Sequence, residues 1–249
     1  MIIKLNKIDT KAPNDVEKES TKKDFEKYSK RLGELQNLLY ASKEKSVLII
    51  LQGMDASGKD GTIKNVFNGV NPMGCKVKSF KKPTEEELSY DFLRRIHIHT
   101  PQKGMIQIFN RSQYEDILVP TVHKIVSTKE LERRMMQIVD FERMLNENGT
   151  EILKFYLHIS PEEQKARIEK RIYDPKKQWK YDPSDTTEAK YWDSYIKVYE
   201  KIFKESEDVA KWEVIPADDK WYRNYLITKH IVKKLEALKM KLPERKTLI

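Results

Sequence analysis

Residues 53–62, GMDASGKDGT, contain the spacing of a phosphate-binding loop. Gly53, Gly58 and Lys59 match G-x-x-x-x-G-K, a pattern in which backbone N–H groups surround phosphate oxygens and the lysine adds a positive charge. An apolar run at 46–52 precedes the loop and a helical pattern follows it, as such a site requires. The loop therefore predicts phosphate binding. Five further residues in or just after it are candidates for phosphate or nucleotide contact: Ala56, Ser57, Gly61, Thr62 and Lys64.

Two carboxylates distinguish this loop from the usual pattern. Asp60 occupies the position where a serine or threonine hydroxyl ordinarily binds Mg²⁺, and Asp55 lies inside the loop. Carboxylate oxygens are also hard ligands for Mg²⁺. Two negative charges beside a phosphate would repel it unless a cation lay between them. The sequence therefore predicts one or two Mg²⁺ ions shared by Asp55, Asp60 and the bound phosphates.

A second cluster of polar residues follows the apolar run at 105–109. In open α/β sheets ligands bind beyond the carboxyl ends of the strands, so we expect this cluster to face the glycine loop. Arg111 suits bidentate phosphate contact, with a structural salt bridge to a carboxylate as the alternative. Glu115 and Asp116 are candidates to complete a metal site or to orient an acceptor. The cluster consists of Asn110, Arg111, Ser112, Tyr114, Glu115 and Asp116.

A basic segment at about 164–186 is a third candidate. Arg167 and Arg171 are four residues apart and share a helix face, which is followed by a loop rich in lysine and aspartate with two prolines. This composition predicts a lid that closes over phosphates, and a solvated basic face is the alternative. Aromatic residues farther along the chain are candidates either for contact with a nucleotide base or for the core: Trp221, Tyr222 and Tyr225.

The order of apolar runs and helical patterns predicts the fold. Short apolar runs typical of buried strands lie at 46–52, 76–80, 105–109, 152–159 and 212–217. Helical patterns lie at 17–42, 61–68, 84–96, 129–147, 161–172, 186–206 and 220–240. Strands that alternate with helices predict an α/β fold of three layers, with a parallel sheet of about five strands between helices. We expect a single domain over 1–249. Its first segment, 1–16, is expected to be an extended or mobile lead-in.

Charge and composition limit the class of protein. The formal net charge is +9, from 48 basic and 39 acidic residues, which favours a polyanionic ligand or simply a solvated basic surface. Cys75 is the one cysteine, so an internal disulfide is excluded. The first 15 residues lack the apolar core of a signal peptide, and no apolar run approaches the roughly 20 residues of a membrane span. We expect a cytoplasmic protein without a membrane partner.

Several segments resemble those of the family-2 polyphosphate kinases: GMDASGKDGTIK, GVNPMG, SFKKPTEEEL, IFNRSQYEDILV, ILKFYLHIS and KWYRN. The resemblance runs from about residue 19 to the end of the chain. It implies a P-loop kinase-like fold similar to that of thymidylate kinases, with a helical lid. It also implies transfer of phosphate between inorganic polyphosphate and nucleotides with Mg²⁺. By resemblance Asp55, Lys59 and Asp60 bind phosphate and metal, Arg111 contacts the phosphates, and the lid arginines, Arg167 and Arg171, take part in closure.

The segment Tyr114-Glu115-Asp116 resembles the subgroup that accepts both nucleoside mono- and diphosphates. We therefore predict transfer of the terminal phosphoryl of polyphosphate to AMP, ADP or both, in a reaction that is reversible in principle. Adenine nucleotides are the expected acceptors, guanine nucleotides are a further option, and Glu115 is a candidate catalytic residue with Asp55, Lys59, Asp60 and Arg111. Asp116 is a third candidate metal ligand. The resemblance and the amphipathic helix at 17–42 also predict a homo-oligomer, a dimer or a tetramer.

Two other functions are consistent with parts of the sequence. An ATP-dependent nucleoside or nucleotide kinase would share the fold, but Asp60 counts against it because serine or threonine is usual at that position. A basic protein that only binds nucleic acid or polyphosphate would explain the charge. It gives no reason for paired carboxylates in a phosphate loop, and we expect no nucleic-acid partner.

Overall fold

The computed structural model describes residues 3–244 and contains a five-stranded parallel sheet. The strands are β1 (Ser46–Gln52), β2 (Cys75–Ser79), β3 (Ile106–Asn110), β4 (Thr150–His158) and β5 (Trp212–Pro216). Their order across the sheet is β2-β3-β1-β4-β5, and every neighbouring pair is parallel. The prediction of a parallel sheet of about five strands is confirmed, with boundaries shifted by one residue at most places.

Helices cover both faces of the sheet. They are α1 (Lys18–Ser42), α2 (Lys59–Val66), α3 (Glu85–Leu88), α4 (Arg94–His97), α5 (Glu115–Val122), α6 (Thr128–Glu147), α7 (Pro161–Tyr173), α8 (Pro183–Glu188), α9 (Trp192–Glu205) and α10 (Lys220–Ala237). One apolar core lies between the sheet and α6 and α9, and the other lies between the sheet and α1, α2 and α10. All residues of β1 and β3 are buried because the two cores meet at these strands.

Two predicted helices differ from the structure in extent, and one helix of the structure has no counterpart in the prediction. The helix expected at 84–96 is two short helices, α3 and α4. They are separated where Asp91 Oδ1 accepts hydrogen bonds from the backbone N–H groups of Leu93 and Arg94, in competition with a continuous helix. The helix expected at 186–206 starts earlier as α8 and continues only at α9 after a short 3-10 turn. Helix α5 was not predicted.

The N-terminal segment, expected to be extended or mobile, packs against the body of the protein. Leu5 is buried in the core beside α9, and a 3-10 turn covers Leu5–Lys7. Farther along, Thr10 Oγ1 donates to Asp218 Oδ2 at 2.7 Å, and the Ala12 N–H donates to Asp219 Oδ2 at 3.0 Å. The segment therefore lies against the carboxyl end of the sheet. Within residues 3–244, no helix has the length and apolar composition of a membrane span.

Candidate active site

The glycine loop connects the end of β1 to the start of α2 and requires glycine at two positions. Gly53 and Gly58 have φ angles of 149° and 102°, which side chains rarely permit. A Cβ at Gly53 would lie 2.8 Å from the carbonyl oxygen of Leu157, and one at Gly58 would lie 2.3 Å from Nη1 of Arg223. The loop is therefore packed between β4 and α10, and it presents the first turn of α2 at the edge of the sheet where ligands bind.

Lys59 lies beneath the loop, and its charge has no acidic partner in direct contact within the described residues. Its Nζ donates to the carbonyl oxygens of Gly53 at 2.8 Å and Met54 at 3.2 Å. Burial, together with the nearby charge of Arg111, lowers the pKa of Lys59 to about 8. The lysine thus holds the loop in shape and concentrates positive charge at the place where the sequence predicts phosphate.

The polar cluster after β3 meets the glycine loop, as expected. Arg111 Nη2 donates to Asp55 Oδ1 at 2.5 Å, and Asn110 Nδ2 donates to Asp60 Oδ1 at 2.7 Å. The negative charge of Glu115, followed by that of Asp55, raises the pKa of Arg111. The structure therefore contains the salt bridge that was the alternative for Arg111, and this ion pair lies at the edge of the predicted phosphate site.

Asp116 lies in a different place from the other two predicted metal ligands. It borders a cleft of about 710 Å³ between α6 and the segment from Pro83 to Arg95. Burial raises the pKa of Asp116 to about 6, although the charges of Arg95 and Arg134 oppose that increase. In the part of the chain from residue 3 to residue 244, no group of three His, Cys, Asp or Glu side chains is arranged to hold a metal. Asp116 thus lines the cleft, whereas Asp55 and Asp60 contact the polar cluster at the glycine loop.

Arg167 binds backbone carbonyl groups of the loop and has no free N–H group for phosphate. Its Nη1 donates to the carbonyl oxygens of Ala56 and Ser57, at 3.1 and 2.8 Å. Its Nη2 donates to those of Ala217 and Asp218, and its Nε donates to Glu163. All three guanidinium nitrogens are therefore used within the protein. In this structure Arg167 fixes the loop to the turn after β5, which differs from the predicted phosphate contact.

The segment predicted as a lid contacts the loop through Lys180, and side-chain hydrogen bonds join the helices α7, α8 and α9. Arg171 Nη1 donates to Asp185 Oδ2 at 2.7 Å, which joins α7 to α8. Glu188 Oε2 accepts a hydrogen bond from Tyr195 OH at 2.6 Å. Lys180 Nζ lies 4.0 Å from Oδ2 of Asp60, so the segment reaches the carboxylate of the loop itself.

The remaining candidates divide between the loop and the helices. Ser57 is fully buried within the loop, whereas the Thr62 hydroxyl donates to the carbonyl oxygen of Gly58 inside α2 and is used there. Lys64 is exposed on the last turn of α2. The aromatic side chains after β5 contact one another and Tyr28 of α1, so they belong to the packing between α1 and α10: Trp221, Tyr222 and Tyr225.

Three arginines near the site were not identified as candidates from the sequence. Arg95 and Arg134 border the cleft that contains Asp116, and Arg223 lies against Gly58. Arg95 lies in a segment that predicts one continuous helix, and Arg134 lies in an amphipathic helical pattern. Nothing in their spacing marks them as functional. Arg223 lies in the segment KWYRN, which was noted only for its resemblance.

Comparison with known proteins gives consistent matches. The sequence model of the family described as Polyphosphate kinase 2 (PPK2) matches residues 15–243. An AMP/ADP-polyphosphate phosphotransferase of Meiothermus ruber is 48% identical over 220 residues, covering 88% of this chain and 82% of that protein. An ADP-polyphosphate phosphotransferase of Rhodopseudomonas palustris is 43% identical over 227 residues, covering 86% of this chain and 78% of that protein. A crystal structure of Polyphosphate Kinase 2 from Arthrobacter aurescens TC1 matches with a TM-score of 0.95 and 38% identity, covering 99% of this chain and 90% of that one.

These matches include the glycine loop, the polar cluster after β3 and the segment predicted as a lid. They confirm the resemblance found in the sequence and the P-loop kinase-like fold. Members of this family transfer phosphate between polyphosphate and nucleotides. On the extent of these matches and the geometry of the loop, the chain belongs to the polyphosphate kinase 2 family.

Proposed function

We propose that the protein transfers the terminal phosphoryl group of inorganic polyphosphate to the phosphate of AMP or ADP, with Mg²⁺ as the metal. The observation that carries the proposal is the junction of the glycine loop with the end of β3. There Arg111 contacts Asp55, and Asn110 contacts Asp60. This junction places cationic and carboxylate groups together at the mouth of a phosphate loop. The name of the Meiothermus ruber relative supports both acceptors.

The position of the cleft supports a separate site for the acceptor nucleotide. Asp116 lines the cleft, and the charge of the preceding residue, Glu115, acts on Lys59 and Arg111 at the loop. Arg95 and Arg134 supply positive charge for phosphate, and Phe92 and Tyr90 supply apolar surface for a base. A donor on the loop and an acceptor in the cleft would meet near Arg111. The segment predicted as a lid, which contains Arg171, would close over both substrates.

The chemistry of this transfer requires little proton removal. A phosphate monoester has a second pKa of about 6, so the attacking oxygen of AMP or ADP is already mostly ionised at neutral pH. The protein therefore needs to hold the two phosphates in line and to neutralise their charge. Lys59 and Arg111 are placed to supply that charge, and the backbone N–H groups of the loop hold the donor.

The side chains at the loop fit Mg²⁺. Asp55 and Asp60 each use Oδ1 for a hydrogen bond, which leaves Oδ2 as a ligand. The side chain of Asp60 is 67% exposed, and its Oδ2 lies 4.0 Å from Lys180 Nζ, a long contact that a bound cation could replace. Protein sites for Mg²⁺ use one or two carboxylates and complete the shell with water and phosphate oxygens. A bound Mg²⁺ would neutralise phosphate charge and align the phosphate oxygens.

The proposal is tested by an assay without ATP. The pure protein is incubated with Mg²⁺, long-chain polyphosphate and AMP, and ADP and ATP are followed by chromatography. Formation of both products supports the proposal, whereas conversion of added ADP alone would limit the acceptor to diphosphates. Turnover only with ATP as donor would contradict the proposal and favour a nucleotide kinase. In the same assay, we expect Asp60→Asn to abolish turnover or raise the Mg²⁺ concentration required, and an unchanged Mg²⁺ dependence would exclude its role as a ligand.

A further inference from the structure

Arg223 is a buried arginine that packs against the phosphate loop from the side of α10. It lies in the first turn of α10, and only 2% of its surface is exposed. Its Nη1 occupies the space that a Cβ at Gly58 would need, and its Nη2 lies 3.7 Å from the corresponding position at Gly61. The guanidinium group is therefore directed at the N-terminal turn of α2, on which the phosphate loop ends.

Part of this guanidinium group lacks a hydrogen-bond partner. Its Nε and Nη2 donate to Asn224 Oδ1, at 3.1 and 2.9 Å. Its Nη1 is buried and has no acceptor among residues 3–244. Because a buried charged donor without a partner is unfavourable, such a group in a native structure requires an explanation.

The charge of Arg223 also differs from that of the other arginines at the site. Within the described residues, Arg111, Arg167 and Arg171 each form an ion pair with a carboxylate, and Arg223 forms none. Burial and the positive charge of Arg167 both lower the pKa of Arg223. The charges of Arg167 and Arg223 add to burial in lowering the pKa of Lys220, one turn earlier on α10, and the charge of Glu163 opposes that shift. Arg167 is paired with Glu163, whereas Arg223 adds a positive charge next to the loop that has no carboxylate partner among residues 3–244.

A helix N-terminus favours anions, and the unpaired charge of Arg223 at the N-terminus of α2 increases that preference. We propose that Arg223 is a positioning residue for the polyphosphate donor, whose charge acts on the bound phosphates across the Gly58 turn. The inference rests on the proposed function, because it takes polyphosphate as the ligand of the loop. The ligand-free protein keeps an uncompensated cation beneath the loop, and the bound donor supplies the missing negative charge.

The test replaces Arg223 with methionine, which has a similar length and no charge. We expect the dissociation constant for tripolyphosphate, measured by calorimetry, and the KM for polyphosphate to rise about tenfold, since a unit charge within about 10 Å of the phosphates is lost. The KM for AMP should change less than twofold. The melting temperature of the ligand-free variant should equal or exceed that of the wild type, because an unpaired buried charge is removed.

Lys233→Gln is the matched control, because it removes one positive charge from the exposed face of the same helix. It should bind tripolyphosphate as the wild type does. A lower melting temperature for Arg223→Met with unchanged affinity for tripolyphosphate would overturn the proposal and assign Arg223 a purely structural role. If the wild type binds no tripolyphosphate in the presence of Mg²⁺, then the proposed function itself fails.

A second variant keeps the test decisive if Arg223→Met does not fold. Arg223→Lys retains a charge but is shorter and lacks the planar guanidinium group, so the charge lies farther from the Gly58 turn. Its affinity for tripolyphosphate should be a few-fold lower than that of the wild type, with the KM for AMP unchanged. An affinity for tripolyphosphate equal to that of the wild type would contradict the proposal.

Discussion

Lys59 has an unusual ionisation in the ligand-free protein because of where its amino group lies. An exposed lysine has a pKa of about 10.4, whereas burial and the charge of Arg111 lower that of Lys59 to about 8. The folded protein therefore loses this proton as the pH rises through about 8. A bound phosphate supplies negative charge and favours the protonated lysine, so phosphate binding and protonation of Lys59 are coupled.

We expect the affinity of the wild type for tripolyphosphate to fall between pH 7 and pH 9, relative to that of the variant Lys59→Arg. Arginine stays protonated throughout this range, so the variant should bind more weakly without the same dependence on pH. Calorimetric titrations of both proteins would give the ratio of their dissociation constants at each pH. Ionisation of the ligand affects both constants equally and therefore cancels in this ratio. A ratio that stays constant from pH 7 to pH 9 would contradict the coupling.

Residue types and spacing predict the phosphate loop but not the partners of each side chain. Gly53, Gly58 and Lys59 follow from a pattern whose physical reason is local, in the turn between a strand and a helix. The role of Arg167 depends on carbonyl groups of two distant segments, and a backbone carbonyl leaves no mark in the sequence. The sequence also gives no sign that Asp116 lies apart from Asp55 and Asp60. Its position at the cleft depends on helix α5, which was not predicted.

At the scale of elements, β4 and α6 are joined by a buried ion pair. Lys154 Nζ of β4 donates to Glu142 Oε2 of α6 at 2.8 Å, and both side chains are almost fully buried. The other carboxylate oxygen of Glu142 accepts hydrogen bonds from Gln113 and Tyr114 at the start of α5. The pair therefore connects three elements at the end of β3, where the polar cluster of the site begins.

We expect Lys154→Met to lower the free energy of unfolding by about 3–5 kcal/mol, because it leaves the Glu142 carboxylate buried without its cation. The double variant Lys154→Met/Glu142→Gln should recover a large part of this loss, since no charge then remains unpaired. Urea unfolding of the wild type and both variants would measure the difference. Equal losses in the single and double variants would show that packing, rather than the unpaired charge, determines the effect.

Strands were easier to predict than helices in this chain. Continuous apolar runs identify β1, β3 and β4 because these strands are covered on both faces. The helical pattern at 84–96 was misleading, since the hydrogen bonds of Asp91 interrupt it. Helix α5 begins in a polar cluster and contains Pro120, so its composition does not indicate a helix.

For the whole molecule, we expect the net charge of +9 to favour binding of the polyphosphate donor more than binding of the nucleotide acceptor. A polyphosphate chain carries many charges, and its binding to cations releases counterions, as for other polyanions. We expect its dissociation constant to rise at least about tenfold between 50 and 200 mM KCl, and the KM for AMP to rise much less. Binding titrations across this range would measure both. An equal dependence on salt for both ligands would contradict a role for the overall charge.

The attachment of the N-terminal segment affects when the site can be completed. The backbone N–H of Asp218 donates to the carbonyl oxygen of Thr10, the carbonyl oxygen of Asp218 accepts from Arg167, and Arg167 donates to Ser57 in the loop. The phosphate loop is thus supported by contacts between the two ends of the chain. Contacts so distant in sequence require closure of a long loop, and its entropic cost slows their formation. During synthesis, the loop therefore emerges early from the ribosome but obtains its full set of hydrogen bonds only after residue 218 has been made.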